Sequence, residues 1–199
     1  MVHLERFSQG PQVVRGRLAL CCATCAALMC GQAWPSAVQD LISRFRTSGE
    51  QLSSLSVCLL DVLRDIPEEL HSKHLTISAR AHQSASSYLR DTCSLVLQQL
   101  LSTLQHTGYA THPNGVECSF GDGTEQNRRI QKKVFQCLLS WARKGDIDYS
   151  LQALHQLLAA CFFALHAPQL FEVACDTLVE LIRHCGKVLS RSSSSSSSK

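Results

Sequence analysis

Residues 127–165 read NRRIQKKVFQCLLSWARKGDIDYSLQALHQLLAACFFAL. Ile130, Val134, Phe135, Leu138, Leu139 and Trp141 recur at helical spacing and predict one amphipathic helix over 127–144. Gly145-Asp146 breaks the pattern. A second helix follows over 149–165, apolar on most of its surface through Leu151, Leu154, Leu157, Leu158, Cys161, Phe162 and Leu165. Two helices joined by a tight break form a hairpin that buries its apolar surface only against neighbours of the same kind. A hairpin of about 40 residues is the unit of HEAT-type repeats.

The same grammar extends in both directions. Upstream, a helix over 12–30 carries Leu18, Cys21, Cys22, Cys25 and Leu28 at i, i+3, i+4 spacing, with alanines between them, and Gly31 ends it. Its small residues predict close helix–helix approach. The next helix begins at Trp34-Pro35, where proline suits a first helical turn, and presents Val38, Leu41, Ile42 and Phe45 before Thr47-Ser48-Gly49 breaks it. A third helix runs over 50–66 on Leu52, Leu55, Leu59, Leu60 and Leu63, with Pro67 as its stop. The fourth is long, over 77–105, striped by Leu89, Cys93, Val96, Leu97, Leu100, Leu101 and Leu104. The stretch 107–126 holds Pro113, Asn114-Gly115, Gly121 and Gly123 and reads as an exposed, mobile loop. Downstream, Pro168 opens a last helix to about Cys185 on Leu170, Phe171, Val173, Ala174, Leu178, Leu181 and Ile182. The expected fold is all-α, a HEAT/ARM-type helical-repeat solenoid of about three and a half helix pairs. Residues 1–11 are an N-terminal tail, 12–185 the solenoid, and 186–199 a serine-rich segment that buries nothing and is expected to be disordered.

Composition narrows the function classes. Net charge is +3, too small for a nucleic-acid footprint, and Arg128-Arg129 with Lys132-Lys133 reads as the solvated start of a helix. The N-terminus lacks the basic-then-apolar pattern of a signal peptide. The most apolar run, 18–29, is too short to span a bilayer, so neither membrane nor nucleic acid is an expected partner. The eleven cysteines lie mostly inside apolar helical runs, where free thiols pack as small hydrophobes in a reducing compartment.

No residue pattern points to catalysis. Cys22-Ala23-Thr24-Cys25 is the one CxxC, without a second pair to complete a zinc site and without a helix start to lower its pKa, so packing is the expected role. A thiol-redox or zinc protein built on the Cys21–Cys30 cluster stays as an alternative. The nine histidines are scattered. Gly121-Asp122-Gly123 lacks the lysine-serine pair and preceding strand of a phosphate loop. No cofactor is expected. Asp61, Asp65, Glu68 and Glu69 gather at a helix end and form the candidate partner-binding patch, complementary to a basic protein surface.

Four segments carry a resemblance. Ala33-Trp34-Pro35-Ser36-Ala37-Val38-Gln39-Asp40-Leu41-Ile42 is similar to the tryptophan-proline helix near the N-terminus of importin-β-type receptors. Leu60-Asp61-Val62-Leu63-Arg64-Asp65-Ile66-Pro67-Glu68-Glu69-Leu70 resembles their leucine-rich helix followed by proline and two glutamates. Lys133-Val134-Phe135-Gln136-Cys137-Leu138-Leu139-Ser140-Trp141 and Leu170-Phe171-Glu172-Val173-Ala174-Cys175-Asp176-Thr177-Leu178-Val179 look like two further motifs of the family. In this order they resemble the importin-β (karyopherin) family over residues 6–182, in its importin-13 and transportin-3 branch, on the importin-13 side. The resemblance implies a receptor shuttling between cytoplasm and nucleus. Its implied partners are cargo proteins, the Ran GTPase in its GTP form, and the phenylalanine-glycine repeats of nucleoporins. Against the family's length the chain is expected to hold part of the arch, without the opening repeat. A HEAT adaptor without Ran coupling is the alternative within the same fold.

Overall fold

The computed structural model describes residues 2–45, 52–111, 118–120, 124–145 and 147–195. Among them are eight helices and a pair of three-residue strands: α1 Val2–Arg6, α2 Gln12–Met29, α3 Ala37–Phe45, α4 Leu52–Leu70, α5 Ala79–His106, β1 Tyr109–Thr111, β2 Cys118–Phe120, α6 Glu125–Lys144, α7 Gln152–Ala164 and α8 Phe171–Ser195. The helices form two layers. In one, α2 packs on α4, α4 on α6, and α6 on α8; in the other, α5 sits beside α3 and α7. Hairpins α2/α3 and α4/α5 thus stack side by side; α6 continues the first layer and α7 the second, with α7 packed on α5 and α8. This is a helical-repeat solenoid.

The alanines of α2 explain how the stack starts. Ala19, Ala23, Ala26 and Ala27 are fully buried, and with nothing beyond Cβ they let α4 approach closely. The stripe expected to be buried, Leu18, Cys21, Cys22, Cys25 and Leu28, is a different face. Cys21, Cys25 and Leu28 are exposed, and Leu18 and Cys22 half-buried. The helix is apolar nearly all round, so periodicity does not select a face. Close packing selects the smallest one. The helix also exceeds the apolar run read from sequence: over 18 residues it is long and apolar enough to cross a membrane by length and composition. Here it packs on α4 along one face, with Arg15 among its buried residues.

Proline 67 does not end the third predicted helix. α4 continues through it to Leu70. Proline has no N–H, so the Leu63 carbonyl four residues back has no partner within the helix. Trp141 of α6 supplies it, donating from Nε1 to the Leu63 carbonyl at 2.8 Å, while Ser140 Oγ donates to the adjacent Arg64 carbonyl at 2.7 Å. Trp141 is among the largest fully buried side chains, so one residue fills the α4–α6 seam and satisfies the acceptor that proline leaves.

Other ends are set locally. Gly31 closes the α2/α3 turn at φ 72°, and a Cβ there would lie 2.9 Å from Ser84 Oγ, so glycine is required twice over. The helix expected to start at Trp34-Pro35 begins at Ala37, because the chain makes a turn at Pro35-Ser36 before it enters α3. Asp40 Oδ2 ties that turn down, accepting from Trp34 Nε1 at 2.7 Å and Ser36 Oγ at 2.8 Å. These bonds hold the Asp40 carboxyl below its ordinary pKa. From α5, Tyr88 Oη accepts the Val38 N–H at 2.9 Å, pinning α3 to the next hairpin. Ser78 and Thr124 cap α5 and α6 through bonds from the Ala81 and Asn127 N–H groups.

Three further expectations change. Residues 1–11 are not a free tail along their described length: α1 is helical and packs on α2 and α4 with Leu4 buried. The 107–126 stretch holds an antiparallel pairing of Tyr109–Thr111 with Cys118–Phe120, and Thr107 and Tyr109 are buried. Gln131 Nε2 holds the Thr107 carbonyl at 3.0 Å, which draws the start of this stretch against α6. Residues 112–117 and 121–123, with Pro113, Asn114-Gly115 and Gly121-Asp122-Gly123, lie outside the described residues. Finally, α8 continues past residue 185 to Ser195, and 196–199 lie outside the described residues. It buries Val173, Ala174, Thr177, Leu178 and Leu181, with Leu170 just before it, but leaves Phe171, Val179 and Ile182 exposed, because only part of the helix surface meets α6 and α7.

Substitutions at two of these contacts have opposite signatures. Trp141→Phe keeps most of the ring but leaves the Leu63 carbonyl unpaired, and is expected to lose about 1–3 kcal/mol in urea denaturation. In a Pro67→Ala background residue 67 regains an N–H that can serve Leu63, so the loss should shrink; equal losses in both backgrounds would rule out the compensation. For Asp40 the folded pKa is lowered, so its contribution is fully present above the ordinary carboxylate value of about 3.9 and is lost as pH falls below it. Thermal melts across the acid range should therefore fall less steeply for Asp40→Asn than for the parent chain.

Candidate functional site

The layer α2–α4–α6 carries polar bridges at each seam. Between α2 and α4, Thr24 Oγ1 lies 2.9 Å from Glu69 Oε2. Between α4 and α6, the Lys133 ammonium pairs with Asp61 Oδ1. Between α6 and α8, Glu180 accepts from Arg183 at 2.8 Å and sits 3.5 Å from Arg143, while Thr177 Oγ1 lies 3.3 Å from the Phe135 carbonyl. Apart from Arg183–Glu180, which lies within α8, each bridge joins neighbouring helices of one layer.

Where α2 begins, these helices enclose an open cleft of about 580 Å³. Gln12, Val13, Arg15, Gly16, Arg17 and Leu20 of α2 line one side, Asp61, Arg64 and Asp65 of α4 the floor, and Lys133 of α6 the other side. Helical spacing explains the floor: Asp61, Arg64 and Asp65 fall at i, i+3 and i+4 on one face. Arg64 donates from Nε to Asp65 at 2.7 Å and lies 3.7 Å from Asp61. Burial pushes the Asp65 carboxyl above its ordinary pKa, against the opposing pull of Arg64. Burial also works against the Arg64 guanidinium, but the bond and charge of Asp65, with the charge of Asp61, raise its pKa overall.

Arg15 is the unusual member. It is only 9% exposed, its Nη1 donates to the Ser8 carbonyl at a long 3.3 Å, and its Nε is buried without a partner. An unpartnered buried donor costs about 1–3 kcal/mol, and more on a charged group.

The expected acidic patch is divided by the fold. Asp61 and Asp65 line the cleft but are each engaged by a cation, Glu69 meets Thr24, and Glu68 is exposed on the far turn. Lys133, expected on a solvated helix start, has a side chain only 17% exposed and is drawn in by Asp61. Within the cleft Arg15, Arg17, Arg64 and Lys133 outnumber Asp61 and Asp65, so its surplus is positive. Sequence reasoning missed these cations, although two arginines inside the Val-Ala-Leu run of α2 were a visible signal.

The fold sorts the described thiols by exposure. Cys21 and Cys25 are exposed, so the packing expected for them does not hold; burial raises the half-buried Cys22 thiol, the opposite of a redox nucleophile. Burial likewise pushes Cys30 and Cys58 up to about 11 and Cys161 up to about 12. Among the described residues no group of three His, Cys, Asp or Glu side chains is placed to hold a metal ion.

Comparison with known proteins adds the context this geometry lacks. The family described as exportin 1-like protein matches residues 11–178, from the head of α2 into α8. The chain belongs to the importin-β (karyopherin) family, on its importin-13 branch. Importin-13 of Gallus gallus is 28% identical over 185 residues, which covers 90% of this chain and 17% of that protein. Importin-13 of Rattus norvegicus is 28% and that of Homo sapiens 27% identical, each over 181 residues, 90% of this chain and 16% of theirs. The chain therefore spans about a sixth of the length of these curated relatives.

Within this importin-β segment the motifs read from sequence meet in space. The proline-glutamate motif of α4 and the serine-tryptophan motif of α6 join through Leu63, Arg64, Ser140 and Trp141, and the cleft lies along the same seam.

The Asp61–Lys133 pair is largely buried on both sides, and removing Lys133 leaves Asp61 with only its longer contact to Arg64 at 3.7 Å. Lys133→Met is expected to cost about 3 kcal/mol. Asp61→Leu combined with Lys133→Met should recover much of that loss. Urea midpoints of the two variants test this, and a double variant less stable than the single one would contradict it.

Proposed function

We propose that this chain acts as a partner-binding segment of a nuclear transport receptor, one that binds cargo proteins and Ran-GTP for import into the nucleus. The observation that carries the reading is the family match over residues 11–178, which spans the helical stack from α2 to α8. Relatives named importin-13 across the same stretch support it. A stack of helix pairs works by offering surface rather than by chemistry, so the segment is read as a binder and not as an enzyme. Asp61 and Asp65 take part as members of the mixed-charge cleft, with Glu68 and Glu69 further along α4, outside its lining. The reading carries with it contact with the phenylalanine-glycine repeats of nucleoporins and residence in both cytoplasm and nucleus.

The test is retention of Ran on the immobilised chain. Ran-GTP should be held and Ran-GDP should pass through. Equal, negligible retention of both would remove Ran from this segment's partners. Capture of cargo proteins that ignores the nucleotide would favour the adaptor reading instead.

A further inference from the structure

We propose that Cys21 and Cys25, with Met29 beside them, form a binding site for one soft monovalent metal ion, Cu(I), on the outer face of α2. The proposal goes beyond the partner-binding reading and does not depend on it.

The fold decides which thiols stay open. Cys21 and Cys25 are exposed, whereas Cys22 is half-buried and Cys30 buried. The CxxC pair of the sequence, Cys22 and Cys25, is therefore not the pair that faces outward. Residues four apart on a helix lie one above the other, with Cβ atoms about 5–6 Å apart. Cys21 and Cys25 are placed so within α2, and Met29 follows at the next such step, 40% exposed. Long side chains on a helix point back toward its N-terminus, which directs the Met29 thioether at the turn that holds Cys25. Two thiols and a thioether thus share one ridge of the helix.

The donor set gives the class of metal. Thiolate and thioether sulfurs are soft ligands and suit Cu(I). Zn²⁺ also takes thiolates, but a structural zinc site closes with four donors. Among the described residues no group of three His, Cys, Asp or Glu side chains is placed to hold a metal ion. Cu(I) is satisfied by two thiolates alone, with a thioether as a third soft donor, so this ridge supplies a complete shell. Burial raises the Cys22 thiol, which keeps it protonated and outside that shell. Binding releases both thiol protons, so two thiolates and one Cu(I) together carry a single negative charge. Arg17, exposed one turn before Cys21, places a guanidinium on the same face to offset it.

The experiment is an oxygen-free titration of the reduced full chain with Cu(I) in competition with the coloured chelator bicinchoninate. The chain is expected to withdraw one Cu(I) per molecule from the chelator. Cys21→Ser and Cys25→Ser should each abolish that uptake, and Cys22→Ser should leave it intact. Cys21 and Cys25 are exposed, so helical content by circular dichroism should not change in either variant. Alkylation with iodoacetamide followed by peptide mass spectrometry reads the ligands directly, and Cu(I) should protect Cys21 and Cys25 together. Four results would each overturn the proposal: no Cu(I) withdrawn, uptake retained in Cys21→Ser or Cys25→Ser, uptake lost in Cys22→Ser, or Zn²⁺ retained through desalting at the same stoichiometry. Neither Ran nor cargo enters the titration, so its outcome and that of the Ran retention test are independent.

Discussion

The stack turns on the bond from Trp141 Nε1 to the Leu63 carbonyl. Proline 67 sits inside α4, where its ring removes a backbone donor, and an interior proline costs a helix about 3 kcal/mol. The helix survives because the missing donor arrives from the neighbouring hairpin, and Ser140 serves the adjacent Arg64 carbonyl. A local defect thereby becomes a long-range constraint, fixing the register of α6 against α4. Everything that lies along that seam, including the Asp61–Lys133 pair and the cleft, inherits this register.

The seams of this layer share a design. Alanines bring α2 and α4 close, Trp141 fills the α4–α6 seam, and each seam carries one or two polar bridges. Apolar packing supplies attraction without direction, while a bridge between half-buried groups punishes a slip of register by stranding a charge. Glu180, buried between Arg143 and Arg183, plays that part at α6–α8. In a repeat architecture with few contacts between distant helices, such bridges keep similar hairpins from sliding past one another.

The chemistry of the cleft differs from what its carboxylates alone announce. Four acidic residues in a short stretch suggest a surface for basic partners. In the fold, Asp61 and Asp65 are compensated from α4 itself and from α6, and two arginines from α2 tip the balance. Membership of the importin-β family supplies the setting, a stack of helices, and the cleft supplies a place on it where charges of α2, α4 and α6 converge.

What the sequence determined by itself was the alternation of helix and break. The period of Ile130, Val134, Leu138 and Trp141, the break at Gly145, and the proline and tryptophan motifs were enough for the solenoid and its family. Local propensity and turn chemistry act over a few residues and can be read from them. Which face of α2 is buried, why α4 passes through Pro67, and which charges surround Asp61 were decided by tertiary structure. The physical reason is common to all three. A helix apolar all round has no preferred side, a carbonyl freed by proline needs a donor from 78 positions along the chain, and a lysine 72 positions away neutralises an aspartate only once the hairpins have stacked.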